Sequence, residues 1–308
     1  MISVIITTKK EPKTLTKAIQ TILDENLEDY KLLVVGPDKE TEKIAEEFSK
    51  QYPEIKYLKD KGVGKPAALN LAFNNTEGEI LVLTDGDVYI EKGAIKKLLK
   101  HFEDEKVGAV SGHPVPINSR KNIFGYWSHF LTKAADFVRK KKNRRGEYLV
   151  CSGYLYAIRR EVICNSEEKA DILKIPAETF VEDSIISERI WQKGYKIIYQ
   201  PEAKVYVRYP DNFKDWLKQK VRATGGYIQR LEIKDQNSRK AKNKMRSLFR
   251  EVADGLKLFF IYPKTFKEFW WTILLYLARL YLWLMIFWQI KILKKPFSEV
   301  WQRIESTK

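Results

Sequence analysis

The hydrophobic pattern of the chain begins on a buried strand. Residues 2–7 (Ile-Ser-Val-Ile-Ile-Thr) are β-branched and apolar without polar alternation, as in a strand covered on both faces. Pro12 then opens a segment with Leu15, Ile19, Ile22 and Leu23 at helical spacing. The same succession repeats. Strands are predicted over 30–35, 55–58, 79–84 and 107–110, and helices over 41–52, 66–73 and 94–102. Such β-α order predicts an α/β fold with an open, mostly parallel sheet and right-handed crossovers. Ligands of such sheets bind outside the carboxyl ends of the strands. The turns at 7–11, 36–38, 60–65 and 85–87 are therefore expected to share one site.

The second half of the chain reads differently. Residues 119–145 form a helical stretch rich in aromatics, ending in the run Arg139-Lys-Lys-Lys-Asn-Arg-Arg145. That run is either a solvated charge cluster or a contact for lipid phosphates. Strand character returns over 148–163, a helix follows over 182–193, strands over 196–207, and mainly helix over 213–260. Residues 269–290 are the most apolar stretch, 22 residues with one charge, Arg279. About 20 helical residues cross a bilayer core, and Trp270, Trp271 and Trp288 near the ends resemble an aromatic belt. Thr272, Tyr276, Arg279 and Trp283 share one helical face, so a helix lying in the membrane interface is open as well. This suggests three regions: 1–210, 211–262 with a basic helical character, and 263–308 with the apolar helix and a basic tail.

Charge sharpens that division. The 308 residues hold 56 Lys+Arg against 40 Asp+Glu, a net +16. Residues 204–308 contribute 23 and 9 of these, so nearly all the excess lies in the last third. Basic residues at 239–250, beside an apolar helix, suit an anionic membrane surface. A near-neutral N-terminal region and no recognisable nucleic-acid module argue against nucleic acid as the partner. Two cysteines, Cys151 and Cys164, exclude a disulfide scaffold and read as buried thiols of a reducing compartment. The N-terminus has no basic segment before its short apolar run, so it is read as a strand rather than a signal peptide.

Two features could carry chemistry. Asp85-Gly86-Asp87 follows the apolar strand, and two carboxylates one residue apart can face a hard divalent ion that is shared with substrate phosphates. The same tripeptide is also an ordinary turn sequence. Upstream, Gly62-Val-Gly64-Lys65 opens a helix, and a glycine loop with one lysine can hold an anionic diphosphate. Its spacing is not that of a P-loop.

Taken in order, the motifs resemble glycosyltransferase family 2, which has the GT-A fold. The matching segments are Val4-Ile-Ile-Thr7-Thr8 with Glu11, Gly64-Lys65-Pro-Ala-Ala-Leu-Asn70, and Gly78-Glu-Ile-Leu-Val-Leu-Thr-Asp85-Gly-Asp87. Ser152-Gly153-Tyr154 and the residues after it resemble the family's acceptor-side segment. Val181-Glu182-Asp183 resembles its Glu-Asp motif, and 194–203 the hairpin that follows. Gln219-Lys-Val-Arg222 resembles the Gln-x-x-Arg-Trp motif of membrane-bound polysaccharide synthases.

The resemblance implies an inverting transfer of sugar from a UDP- or GDP-linked donor to a hydroxyl of a membrane-linked glycan or lipid. The cofactor it implies is Mg²⁺ or Mn²⁺ on Asp87, with Asp85 beside it. It makes Asp183 the catalytic base, with Glu182 adjacent. It places Thr7, Thr8, Glu11, Asp38, Asp60, Lys65, Asp85, Gln219 and Arg222 on the donor, and it sets the enzyme at the cell membrane with its catalytic domain in the cytoplasm. The chain departs from the pattern at Val35-Gly-Pro37-Asp38, where the family has Asp-Asp-Gly-Ser, so Asp38 or Asp60 is expected to meet the nucleobase. Ala223 replaces the tryptophan of the synthase motif, which removes part of a polymerising acceptor platform. A polyprenyl phosphate is an alternative acceptor; being anionic already, it needs no general base. The non-enzymatic alternative is a basic membrane- or nucleic-acid-binding protein.

Overall fold

A computed structural model describes residues 1–164, 173–176, 179, 181–234, 258–288 and 307, with the backbone alone over 225–234. The expected basic cluster at 239–250 and the tail after 288 lie outside the described residues, Thr307 excepted. The chain divides into two compact units. The first comprises Met1–Val115 and Arg139–Arg208, and the second Pro116–Val138 and Tyr209–Thr307.

The first unit is built on one sheet. Its strands are β1 (Ile2–Thr7), β2 (Tyr30–Gly36), β3 (Ile55–Lys59), β4 (Ile80–Asp85), β5 (Val88–Ile90), β6 (Val107–Pro116), β7 (Leu155–Arg159) and β8 (Lys196–Val207). Their spatial order is β3-β2-β1-β4-β7-β6-β8-β5. β1 pairs in parallel with β2 and β4, and β2 with β3. The other half departs from the expected parallel pattern: β7 is antiparallel to β4 and to β6, and β5 to β8. Three features were not foreseen. β5 is only three residues long, β6 runs to Pro116, and where a hairpin was expected over 194–203 the residues from Lys196 on belong to the single strand β8.

Helices α1 (Pro12–Leu23), α2 (Lys39–Ser49), α3 (Lys65–Asn74) and α4 (Ala94–Leu99) follow the strands as expected. Each start has a local cause. Pro12 and Pro66 stand in the first turns of α1 and α3, where a missing N–H costs nothing. The Asp38 carboxylate caps α2 by accepting from Thr41 N at 3.0 Å. The buried Glu25 accepts from Ala94 N at 2.8 Å and so supplies from α1's far end the cap that Gly93 lacks. Beyond these, α6 (Glu182–Gln192) packs Ile186 and Ile190 into a core shared with Ala68, Leu69, Ala72 and Phe73 of α3. Tyr156, one of the largest fully buried side chains, lies in the same core.

The second unit holds most of α5 (Ile123–Arg144), α7 (Phe213–Lys234) and α8 (Phe266–Phe287). Its core joins Tyr126, Trp127 and Phe130 to Trp216, Leu275 and Ala278. Tyr126 OH and Thr272 Oγ1 lie 2.7 Å apart, and Trp127 Nε1 donates to Trp271 O at 2.8 Å. Arg120 meets Glu268 through two 2.9 Å hydrogen bonds and stacks over Tyr262. The bidentate pairing fixes the start of α8, where Thr265 also caps Glu268 N.

Among the described residues, α8 is the one helix long and apolar enough to cross a membrane. Thr272, Leu275, Ala278, Leu282 and Ile286 are its buried stripe. Phe266, Trp270, Leu274, Leu277, Tyr281, Leu284 and Trp288 are exposed and fall three or four residues apart. Arg279 is half-buried and off that exposed stripe, so one helix face is apolar along its whole length.

Candidate active site

The parallel strands bring the predicted turns together. Register places Thr7 between Val35 and Asp85, and Gly36 opposite Lys59. The ends of β1, β2, β3 and β4 therefore release their loops along one edge, as the sequence order required. Several contacts knit those loops. Gly86 N donates to Thr7 O at 3.1 Å, and Thr8 N to Val35 O at 3.0 Å. Lys9 Nζ donates to Gly62 O at 2.8 Å. Thr8 Oγ1 donates to the buried Glu11 at 3.2 Å. A Cβ on Gly86 would sit 2.5 Å from Thr8 Oγ1 and 2.6 Å from its Cβ. The glycine of Asp85-Gly86-Asp87 is thus required by close approach to the β1 loop.

The centre of the site is a lysine among carboxylates. Lys65, at the start of α3, lies 2.6 Å from Asp85 Oδ1 and 3.1 Å from Glu182 Oε1, and it donates to Gly153 O at 3.3 Å. Thr7 Oγ1 also donates to Asp85 Oδ1, at 3.1 Å. The three charged side chains are 28%, 22% and 12% exposed, so the group is reachable but largely desolvated. Burial opposes the ammonium charge of Lys65, yet the Asp85 and Glu182 carboxylates hold its pKa above the ordinary lysine value.

Asp183 completes the group. Its Oδ1 accepts from Ser184 N at 2.7 Å, and its Oδ2 would lie 3.4 Å from a Cβ placed on Gly153. Burial, then the neighbouring Glu182 charge, push the Asp183 carboxyl up to about 7. Lys65, the Ser184 N–H and Arg139 pull it back only in part. A carboxyl poised there can take a proton near neutral pH.

The remaining expected residues take varied places. Asp38 caps α2: it accepts from Thr41 N, Thr41 Oγ1 and, at 2.8 Å, Lys10 N. Burial works against its charge, but these donors prevail and its pKa falls. Asp60 accepts from Gly62 N at 3.2 Å, and burial raises its pKa. Ser152 and Tyr154 are each tied to a neighbouring strand through a backbone atom. Ser152 N donates to Ser111 Oγ at 2.8 Å, and Tyr154 O accepts from Thr84 Oγ1 at 2.8 Å. Gln219 and Arg222 stand on α7 in the second unit, where Gln219 is buried and Arg222 half-buried.

Among the described residues, no three His, Cys, Asp or Glu side chains gather as a cation site. Asp85 and Asp87 supply two carboxylates at a strand end. That suits a hard ion that takes its remaining oxygens from phosphates and water, and would not suit a closed structural site. Cys151 is buried and its thiol is pushed up to about 12, so it is inert, while Cys164 is half-buried. His113 bonds Tyr199 OH at 2.7 Å and plays a structural part.

A mixed sheet whose parallel strands alternate with helices defines the class, an α/β protein of the GT-A kind. The chain belongs to glycosyl transferase family 2, whose family model matches residues 3–165, just over half of its length. It is 29% identical over 189 residues to the probable glycosyltransferase YdaM of Bacillus subtilis, covering 59% of this chain and 44% of that protein. It is 31% identical over 163 residues to the hyaluronan synthase of Streptococcus pyogenes, covering 52% and 38%. The chain thus spans about four-tenths of the length of these curated relatives.

Among solved structures, it resembles a mannosyltransferase from Pyrobaculum calidifontis in complex with GDP-Man and Mn²⁺. The TM-score is 0.62 at 17% identity, over 97% of this chain and 82% of that one. It also resembles Staphylococcus aureus TarS in complex with UDP-GlcNAc, with a TM-score of 0.51 at 16% identity over 74% and 66%. These likenesses show the fold.

Proposed function

We propose that the protein is an inverting glycosyltransferase that moves a sugar from a nucleoside-diphosphate donor to a hydroxyl of a membrane-linked glycan or lipid. The observation that carries this reading is Lys65, held between Asp85 and Glu182, with Asp183 alongside them. The cluster unites one cation for an anionic leaving group with one carboxyl poised to accept a proton.

The donor diphosphate would lie against the start of α3, where Lys65 and the helix N–H groups favour negative charge. Asp60 is the better partner for donor N–H groups of a nucleobase, because Asp38 is spent on its cap. The acceptor oxygen attacks the anomeric carbon as the bond from that carbon to the diphosphate breaks. The bonding pair leaves with the nucleoside diphosphate, and the acceptor proton passes to Asp183. Lys65 meets the charge that grows on the leaving group, an effect largest in a desolvated site. A divalent Mg²⁺ or Mn²⁺ held by Asp87, with Asp85 beside it, would supply further positive charge to the diphosphate. Lys65 and Thr7 already hold Asp85 Oδ1, which supports Asp87 as the direct ligand.

The apolar stripe of α8 supports a membrane location, since a contiguous exposed patch of this kind marks an interaction surface. With the basic last third, it fits an anionic bilayer and a cytoplasmic catalytic unit. A screen of UDP- and GDP-linked sugars on detergent-extracted protein, with mass spectrometry of the lipid product, tests this reading. Sugar-bearing lipid formed only with a donor and a divalent ion is the expected result.

A further inference from the structure

Asn70 closes the segment Gly64-Lys65-Pro-Ala-Ala-Leu-Asn70, whose lysine enters the charged cluster. Both ends of its amide are instead committed to one distant residue. Asn70 Nδ2 donates to Ile175 O at 2.8 Å, and Ile175 N donates to Asn70 Oδ1 at 2.8 Å. The contact spans 105 positions and copies one rung of a β-ladder. No other side chain of that length offers a donor and an acceptor at once. Ile175 is itself buried, packed in the core with Ala68, Leu69 and Ile186.

Chain order gives this clamp its consequence. Ile175 precedes Glu182 and Asp183 by seven and eight residues. α3 therefore touches this part of the chain twice, through Asn70 at Ile175 and through Lys65 at Glu182. The two attachments are five residues apart on one helix, a rise of about 7.5 Å. A helix that carries the predicted diphosphate lysine at its start thus also holds the approach to the proton-accepting carboxyl.

We infer that Asn70 is a positioning residue: it fixes the approach to Asp183 from the same helix that presents Lys65, and so sets the distance between donor and base. The inference rests on the transferase reading for its kinetic consequence but not for the clamp itself. A misplacement of about 1 Å can cost on the order of a hundredfold in rate without weakening binding.

The test uses Asn70→Leu, which removes both hydrogen bonds at similar volume, and Asn70→Asp, which keeps only the acceptor. Steady-state kinetics, donor binding by calorimetry and amide exchange at Leu173–Ile175 are measured on the full chain. The expected result is a kcat lower by tenfold or more (roughly, for lost positioning), an unchanged donor Kd and faster exchange at Ile175. A fall in donor affinity that matches the fall in kcat would overturn the inference, as would unchanged kcat with faster exchange. Should the wild type transfer no sugar, the transferase reading fails alone. Exchange at Ile175 still decides whether the clamp holds the segment, because unchanged protection in a folded Asn70→Leu protein would refute it. If Asn70→Leu does not fold, Asn70→Asp carries the same comparison.

Discussion

The Lys65 ammonium lies 2.6 Å from the Asp85 carboxylate, joining the start of α3 to the end of β4. One strand end and one helix start are thereby fixed by opposite charge in a partly desolvated group. Removing the cation leaves Asp85 and Glu182 facing each other beside Asp183. Lys65→Met should lower kcat/KM by roughly a hundredfold, the range seen when one charge-stabilising donor is lost. It should also lower stability, because it unpairs carboxylates that are mostly buried. Steady-state kinetics and thermal melts of the variant check both.

The pH dependence follows from Asp183. Its carboxyl titrates near 7 in the fold, through burial and the Glu182 charge, and near 4 when unfolded. Transfer requires the ionised form, so the rate should rise with pH through about 7. A profile already flat from pH 5 upward would contradict the assigned base.

Stability should move the other way. A carboxyl whose folded pKa is raised favours the fold fully below its unfolded value, and that advantage is lost as pH rises through the folded value. Asp183→Asn cannot ionise and escapes the loss. Its melting temperature should exceed that of the wild type at pH 8, on the order of 5 °C, with the gap narrowing steadily toward pH 4. Melts across that range measure it.

Gly86 offers a purely steric prediction. A Cβ there meets Thr8 Oγ1 at 2.5 Å and Thr8 Cβ at 2.6 Å. Gly86→Ala must push the β1 and β4 loops apart, although it removes no functional group. Activity should fall at least tenfold (roughly, from displaced carboxylates), and stability by about 1–3 kcal/mol. Kinetics and denaturant melts read the two effects.

The outward stripe of α8 can be tested without touching the site. Trp270→Glu combined with Leu277→Glu places charge on exposed positions of the stripe. Co-flotation with anionic vesicles should drop severalfold while turnover of a soluble acceptor is kept. Flotation equal to the wild type would remove α8 as the membrane contact.

Much of the parallel half of the sheet was legible because its elements carry strong local signals. β1 is an unbroken apolar run, Pro12 and Pro66 mark helix starts, and the strand ends at Thr7, Gly36 and Asp85 follow from β-α order. What escaped depends on long-range pairing. The three-residue β5 has no periodicity to detect, and the antiparallel half forms only when β7 inserts beside β4. The capping of α2 by Asp38 was not read from the sequence either, although that use is open to any aspartate at a helix start. Asn70 was visible within a motif, yet its partner Ile175 lies 105 residues away, with no signal in either segment to join them.

The most direct measurement of the central claim is nucleoside diphosphate release from UDP- and GDP-linked sugars, with Mn²⁺ or Mg²⁺ and a hydroxyl acceptor, by the wild type and Asp183→Asn. The account predicts acceptor-dependent release by the wild type and a loss of roughly 10²–10⁴ in the variant, with donor affinity kept. Equal rates in the two proteins with a hydroxyl acceptor would contradict Asp183 as the base, and transfer to a polyprenyl phosphate alone, equal in both, would favour the acceptor that needs no base.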